Sequence, residues 1–156
     1  MKTSTLALIV VGVLLLAGGG IAVYTMTRGL RNNNPGNIRK NATAWQGLAP
    51  ADQQTDPDFF IFSTPTFGIR ALGHTLNTYM TRYGLNTLRG IITRWAPPSE
   101  NDTDAYIAAL VNDTGVGPDE ELSTADIPAV TAGIIKHENG LQPYSMDVIS
   151  NAVALS

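Results

Sequence analysis

The chain has 156 residues, enough for one ordinary domain, and a formal net charge of -3. That acidic balance argues against nucleic acid as a partner, because phosphate binding wants a basic face. Cysteine is absent, which excludes disulfides, thiolate metal sites and cysteine nucleophiles.

Thr3 to Thr27 carries no charge, and Leu6 to Val23 is almost wholly apolar. A spanning helix needs about 20 apolar residues, so residues 1–27 are expected to form an N-terminal transmembrane anchor. A cleaved signal peptide is the competing reading. It is disfavoured because the run exceeds the usual h-region of roughly 7–15 residues and no clean A-x-A site ends it. Arg28, Arg31, Arg39 and Lys40 follow the segment, and only Lys2 precedes it. The positive-inside rule would keep the following domain cytoplasmic. A cell-wall function needs the opposite side, or a membrane that is not the cell's own.

Residues 28–156 read as one unit with no internal repeat. Its first stretch, RGLRNNNPGNIRKNATAWQGL, is dense in Asn, Gly and Pro, which favour turns and left-handed backbone. DFFIFSTP, from Asp58 to Pro65, is short, aromatic and bounded by turn residues, so a strand is expected, with Trp45 on its partner. Ile69, Leu72, Leu76, Tyr79 and Tyr83 recur at helical spacing and predict a helix over 67–82, stopped by Gly84. Thr87 caps the next helix, with Leu88, Ile91, Ile92 and Trp95 on one face; Pro97 and Pro98 end it. Asp102 or Thr103 caps a helix through Tyr106, Ile107, Leu110 and Val111, closed by Gly115 and Gly117. Thr124 or Asp126 caps another, with Pro128 in its first turn, running to Gly140. A last helix starts near Ser145 and carries Met146, Ile149, Ala152 and Val153. Several short helices and one small β piece make a mainly α, or small α+β, domain.

Few side chains could do chemistry. His74 and His137 lack the spacing of a zinc site, so no metal or other cofactor is expected. There is no G-x-S-x-G elbow, P-loop or G-x-G-x-x-G. Carboxylates remain. Glu138 follows Ile134 by four residues and Ile135 by three, so it shares their helical face and points toward the core or a cleft at its edge. Desolvation and the negative end of the helix dipole both disfavour its anion there, which suits a general acid. A glutamate bending out to water at a helix end is the plainer alternative. Glu100 precedes a helix start and reads as a capping or dipole-stabilised carboxylate, with catalysis as its second reading.

Three segments carry a family resemblance. ENGLQP, Glu138 to Pro143, resembles the E-S-G-x-N-P motif around the catalytic glutamate of lytic transglycosylases in the lysozyme-like superfamily. Pro98, Glu100, Asn101, Asp102, Thr103, Tyr106 and Ile107 resemble a looser form of that family's Glu-Thr-Arg segment followed by Tyr-Val. NNNPGNI (Asn32 to Ile38), with Trp45 to Gly47 and Phe60 to Phe62, resembles the stretch after the catalytic glutamate in glucosaminidase-type lysozymes. The order differs: the glutamate motif comes last here, which a circular permutation would account for. The whole pattern is also similar to small murein-degrading proteins carried by phage particles.

The resemblance implies a lysozyme-like muralytic domain over 28–156 that cleaves peptidoglycan between N-acetylmuramic acid and N-acetylglucosamine. It implies Glu138 as general acid and base, Glu100 as runner-up, and Asn34, Asn37, Tyr106 and Tyr144 as substrate-binding residues. It implies no cofactor, peptidoglycan as a partner together with a membrane and other virion proteins, and a location in a virion membrane or host inner membrane, facing the cell wall. An endopeptidase acting on peptide cross-links, and a non-catalytic glycan-binding virion protein, are the alternative readings.

Overall fold

The computed structural model describes residues 26–156 in full, and the backbone of residues 11–15 and 21–25. Strands β1 (Val11–Leu15) and β2 (Ile21–Thr25) pair antiparallel, Val13 opposite Val23. Among the described residues no helix is long and apolar enough to cross a membrane. The expected transmembrane helix has no counterpart there: residues 11–15 and 21–25 are two paired strands rich in β-branched residues. The rest of the expected span, in residues 1–10 and 16–20, lies outside the described residues.

From residue 26 onward the chain is mainly helical, as expected. Helix α1 (Arg28–Arg31) is one turn, capped by the Thr27 hydroxyl. The expected strand over 58–65 is reduced to two isolated antiparallel bridges, Arg39 with Phe59 and Leu48 with Phe62. Then follow α2 (Pro65–Tyr83), α3 (Leu88–Trp95), α4 (Thr103–Thr114), α5 (Ile127–Asn139) and α6 (Met146–Val153). Side-chain oxygens satisfy the orphan N–H groups at several helix starts. Thr87 accepts from Gly90, Asp102 from Ala105, and Ser145 from Val148. Gly84, Gly115 and Gly140 close α2, α4 and α5 with positive φ.

Helix α5 is the hub. It packs against α1, α2, α4 and α6. Ile134 and Ile135 are fully buried among Leu72, Leu76, Leu110 and Ile149. Small residues set the approach distances. Gly73 of α2 lies against Val153 of α6, and Gly133 of α5 against Leu110 of α4. Gly68 of α2 lies directly under the backbone of Asn33, so the asparagine-rich loop rests on α2. The result is a groove between that loop, the last turns of α2 and α3, and the C-terminal end of α5.

Candidate active site

The loop Asn32–Ile38 is built by its asparagines. Asn33 and Asn37 adopt left-handed backbone, at φ 50° and 51°, which asparagine tolerates better than most residues. Asn34 is fully buried. Its Nδ2 donates to the carbonyls of Ile38 and Phe60, and its Oδ1 accepts from the Ile38 N–H. Asn34, expected on the cleft wall, is thus a loop brace inside the fold. Its polar atoms replace backbone partners that an irregular buried loop would otherwise lack. The same loop is tied to α5: Asn139 Nδ2 donates to the Pro35 carbonyl, and the Thr27 hydroxyl donates to Asn139 Oδ1.

That tie brings Asn37 to Glu138. Asn37 Nδ2 donates to Glu138 Oε2 at 3.0 Å. The Tyr106 hydroxyl, from α4, donates to Oε1 at 2.9 Å, and Trp95 Nε1, from the end of α3, reaches the same oxygen at 3.4 Å. Glu138 itself is half-buried. Its carboxylate is held by donors from three separate parts of the chain, and it opens onto a groove of about 940 Å³. Pockets of roughly 300–1,000 Å³ are the size that takes small-molecule ligands.

Tyr106 is only 2% exposed. Burial, with the Glu138 carboxylate beside it, pushes its hydroxyl well above the ordinary tyrosine range, so it keeps its proton and stays a donor. Its ring stacks on His137, with 3.6 Å between centroids and 18° between planes. Tyr106 therefore orients Glu138 from behind, and its ring face is already covered. Tyr144, expected to bind sugar, is half-buried against the core and does not line the groove. Glu100 does line it, together with Glu138. Glu100 is 61% exposed and stands 3.8 Å from Arg39. The cap that Glu100 was a candidate to supply comes from Asp102.

Other groove residues were not among those expected to bind substrate. Along α2 they are His74, Thr78, Tyr79, Arg82 and Tyr83, and Arg94 faces them from α3. Trp45 meets His74 edge-on, 5.8 Å between centroids. The signal for Tyr79 and Tyr83 was present but read as core, because both sit in phase with buried Ile69, Leu72 and Leu76. Trp95 was read the same way, yet its indole N–H reaches the carboxylate. Among the described residues no cluster of three or more His, Asp or Glu side chains could hold a metal ion.

No family model matches the chain. It is similar to Protein P5 of Pseudoalteromonas phage PM2, with 46% identity over 125 residues, covering 78% of this chain and 77% of that protein. At that identity and coverage, the chain belongs to the family of this bacteriophage protein.

Proposed function

We propose that the protein cleaves the glycan strands of peptidoglycan by a lytic transglycosylase-type reaction, with Glu138 as its single acid and base. The observation that carries this reading is the half-buried Glu138 carboxylate, oriented by Asn37, Trp95 and Tyr106 at the wall of an open groove. In its protonated form Glu138 gives its proton to the glycosidic oxygen between N-acetylmuramic acid and N-acetylglucosamine, and the C–O bond breaks. The resulting carboxylate then takes the proton of the muramoyl 6-hydroxyl. That oxygen closes on the anomeric carbon, giving a 1,6-anhydro end, and no water is consumed. A groove with aromatic and polar walls suits sugars, which present apolar ring faces and hydroxyl edges. The meeting of NNNPGNI and ENGLQP in one site also supports the permuted lysozyme-like reading. Protein P5 is a phage protein, and a muralytic role in carrying a phage through the host cell wall is consistent with that family. In this reading the N-terminal segment holds the domain at a virion or host membrane, beside other virion proteins, facing the wall.

Mass spectrometry of purified sacculi digested by the protein tests this. Anhydro-muropeptides are the expected product. New reducing ends would indicate hydrolysis, new free amines an endopeptidase, and retention on sacculi without soluble products a glycan-binding protein; each would overturn the proposal.

A further inference from the structure

The groove also carries a charge arrangement that the cleavage chemistry does not use. Helix α2 presents Tyr79, Arg82 and Tyr83 to the groove from its last turn, and α3 presents Arg94, the neighbour of Trp95. The Arg94 guanidinium lies 4.2 Å from the Tyr83 ring centroid and 5.1 Å from that of Tyr79; Arg82 lies 5.8 Å from the Tyr83 ring. Cation–π contacts of this kind orient a guanidinium without neutralising it. Burial raises the Tyr79 hydroxyl above its usual range, so that phenol is a neutral donor beside the two cations.

Neither arginine has a carboxylate partner among the described residues; Arg28, Arg39, Arg89 and Lys136 each have one, and Arg31, Lys40 and Arg70 donate to backbone carbonyls instead. The two carboxylates that line the groove are engaged elsewhere. Glu100 faces Arg39, and Glu138 accepts from Asn37, Tyr106 and Trp95. In a chain of net charge -3, two guanidiniums without a carboxylate partner in one groove are not explained by overall charge. The arrangement fits an anionic ligand group. The planar guanidinium fork matches the oxygens of a carboxylate or a phosphate, and of these the proposed peptidoglycan substrate carries carboxylates in its peptide stems.

We propose that Arg82 and Arg94, framed by Tyr79 and Tyr83, form a carboxylate-binding subsite in the groove. Resting on the proposed function, its ligand is the carboxylate of the peptide stem attached to the muramoyl sugar. The subsite then favours peptide-bearing glycan over bare glycan and sets which stretch of strand lies across Glu138.

The test uses the full chain with Glu138→Gln, so that bound sacculi are not consumed. Binding is measured to native sacculi and to sacculi whose carboxyl groups have been converted to amides with carbodiimide and ammonia. Amidation is expected to weaken binding about tenfold or more, the scale of one or two charge-assisted hydrogen bonds. Adding Arg82→Gln with Arg94→Gln is expected to weaken binding to native sacculi by a similar factor and to leave binding to amidated sacculi unchanged. A second pair, Arg31→Gln with Arg70→Gln, removes the same charge away from the groove and is expected to leave the native-to-amide ratio as it was. Arg94→Lys keeps the charge but not the fork, and should show a partial loss with an unaltered melting temperature. Equal loss on both kinds of sacculi, no loss, an equal effect from the Arg31 and Arg70 pair, or no binding to native sacculi overturns the subsite. The outcome is separable from that of cleavage. Arginine-dependent binding without anhydro products sinks the transglycosylase reading and keeps the subsite, and anhydro products without arginine dependence do the reverse.

Discussion

Asn37 and Glu138 are 101 positions apart, and a 3.0 Å hydrogen bond joins their side chains. That contact needs two things. Asn37 must adopt a left-handed backbone, and the loop that carries it must be clamped to α5 through Asn139 and Pro35. The residue beside Glu138 in the chain is therefore what brings the distant loop to it. A carboxylate fixed in this way can meet a substrate without first reorganising, which is where much catalytic stabilisation originates.

Glu138→Gln is the direct test of the acid. The amide keeps the shape and can still accept from Tyr106 and Trp95, while Asn37 can turn its own amide to present oxygen. The fold should be unchanged by circular dichroism. Loss of general acid–base catalysis costs about 10²–10⁴-fold, so clearing of a peptidoglycan zymogram should vanish. Wild-type clearing by this variant would sink the assignment.

Tyr106→Phe removes one donor and leaves the ring. Hydrogen bonds to a charged group contribute about 1.5–3 kcal/mol, so activity should fall by one to two orders of magnitude, at roughly 1.4 kcal/mol per decade. The ring's stacking on His137 persists, and the melting temperature should change little. A fall in melting temperature with unchanged activity would mean that Tyr106 serves the core and not the carboxylate.

Much of the helical frame was legible in the sequence, because its signals are local. Thr87, Asp102 and Ser145 each bond an N–H within three residues, and Gly84, Gly115 and Gly140 stop their helices through their own φ. The phase of Glu138 relative to Ile134 and Ile135 was local too; it left the side chain pointing to the core or to a cleft at its edge, and Glu138 lines the groove. Asn34 was misread because a turn asparagine and a buried brace have the same sequence; only the remote Phe60 carbonyl distinguishes them. The expected strand over 58–65 is reduced to bridges: between them the Ile61 N–H bonds the Gln54 side chain and no backbone carbonyl, while the Ile61 carbonyl accepts from both Gln54 and the Ala49 N–H. Tyr79, Tyr83 and Trp95 are in phase with the core, and only the tertiary arrangement shows that they line the groove.

Gly68→Ala should break the platform under the asparagine loop. An added Cβ would overlap the Asn33 carbonyl oxygen, which is backbone and cannot rotate away. Overpacking typically costs about 1–3 kcal/mol, and this position should lie at the top of that range. Gly84→Ala is the contrasting case. It meets nothing within 4 Å but has φ +65°, so it should cost only the left-handed backbone strain of about 1–2 kcal/mol. Chemical denaturation of both variants checks this, and Gly68→Ala should also lose activity through displaced Asn37, where Gly84→Ala should not.

Asp56 gives the fold a pH dependence. Its side chain is 8% exposed and accepts from Arg28, Asn32 and the N–H groups of Asp58 and Phe59. Burial by itself raises its pKa, but the Arg28, Asn32 and backbone donors together outweigh it and hold the carboxyl below the usual range. A carboxyl depressed on folding contributes stability that is complete above its unfolded value of about 3.9 and is lost as pH falls from there toward the folded value. Asp56→Asn should therefore lower stability at neutral pH by about 2 kcal/mol, moderated because Arg28 is partly solvated. It should also flatten the decline below pH 4. Parallel stability curves for the two proteins through that window would contradict this role.

Glu100 decides between one carboxylate and two. A glycoside hydrolase needs a second carboxyl about 5–9.5 Å from the first, depending on stereochemistry, and Glu100 lines the same groove as Glu138. Both members of its pair with Arg39 are well exposed, at 61% and 68%, and such pairs contribute little to folding. The N-cap is supplied by Asp102, so Glu100→Gln should leave the melting temperature unchanged. With Glu138 as sole acid and base, the variant should clear peptidoglycan at a rate within roughly twofold of the original, the size of an ordinary surface substitution. Its products should still be anhydro-muropeptides. A loss of about 10²-fold or more, with reducing ends in the remaining products, would instead make Glu100 the second carboxylate and the reaction a hydrolysis.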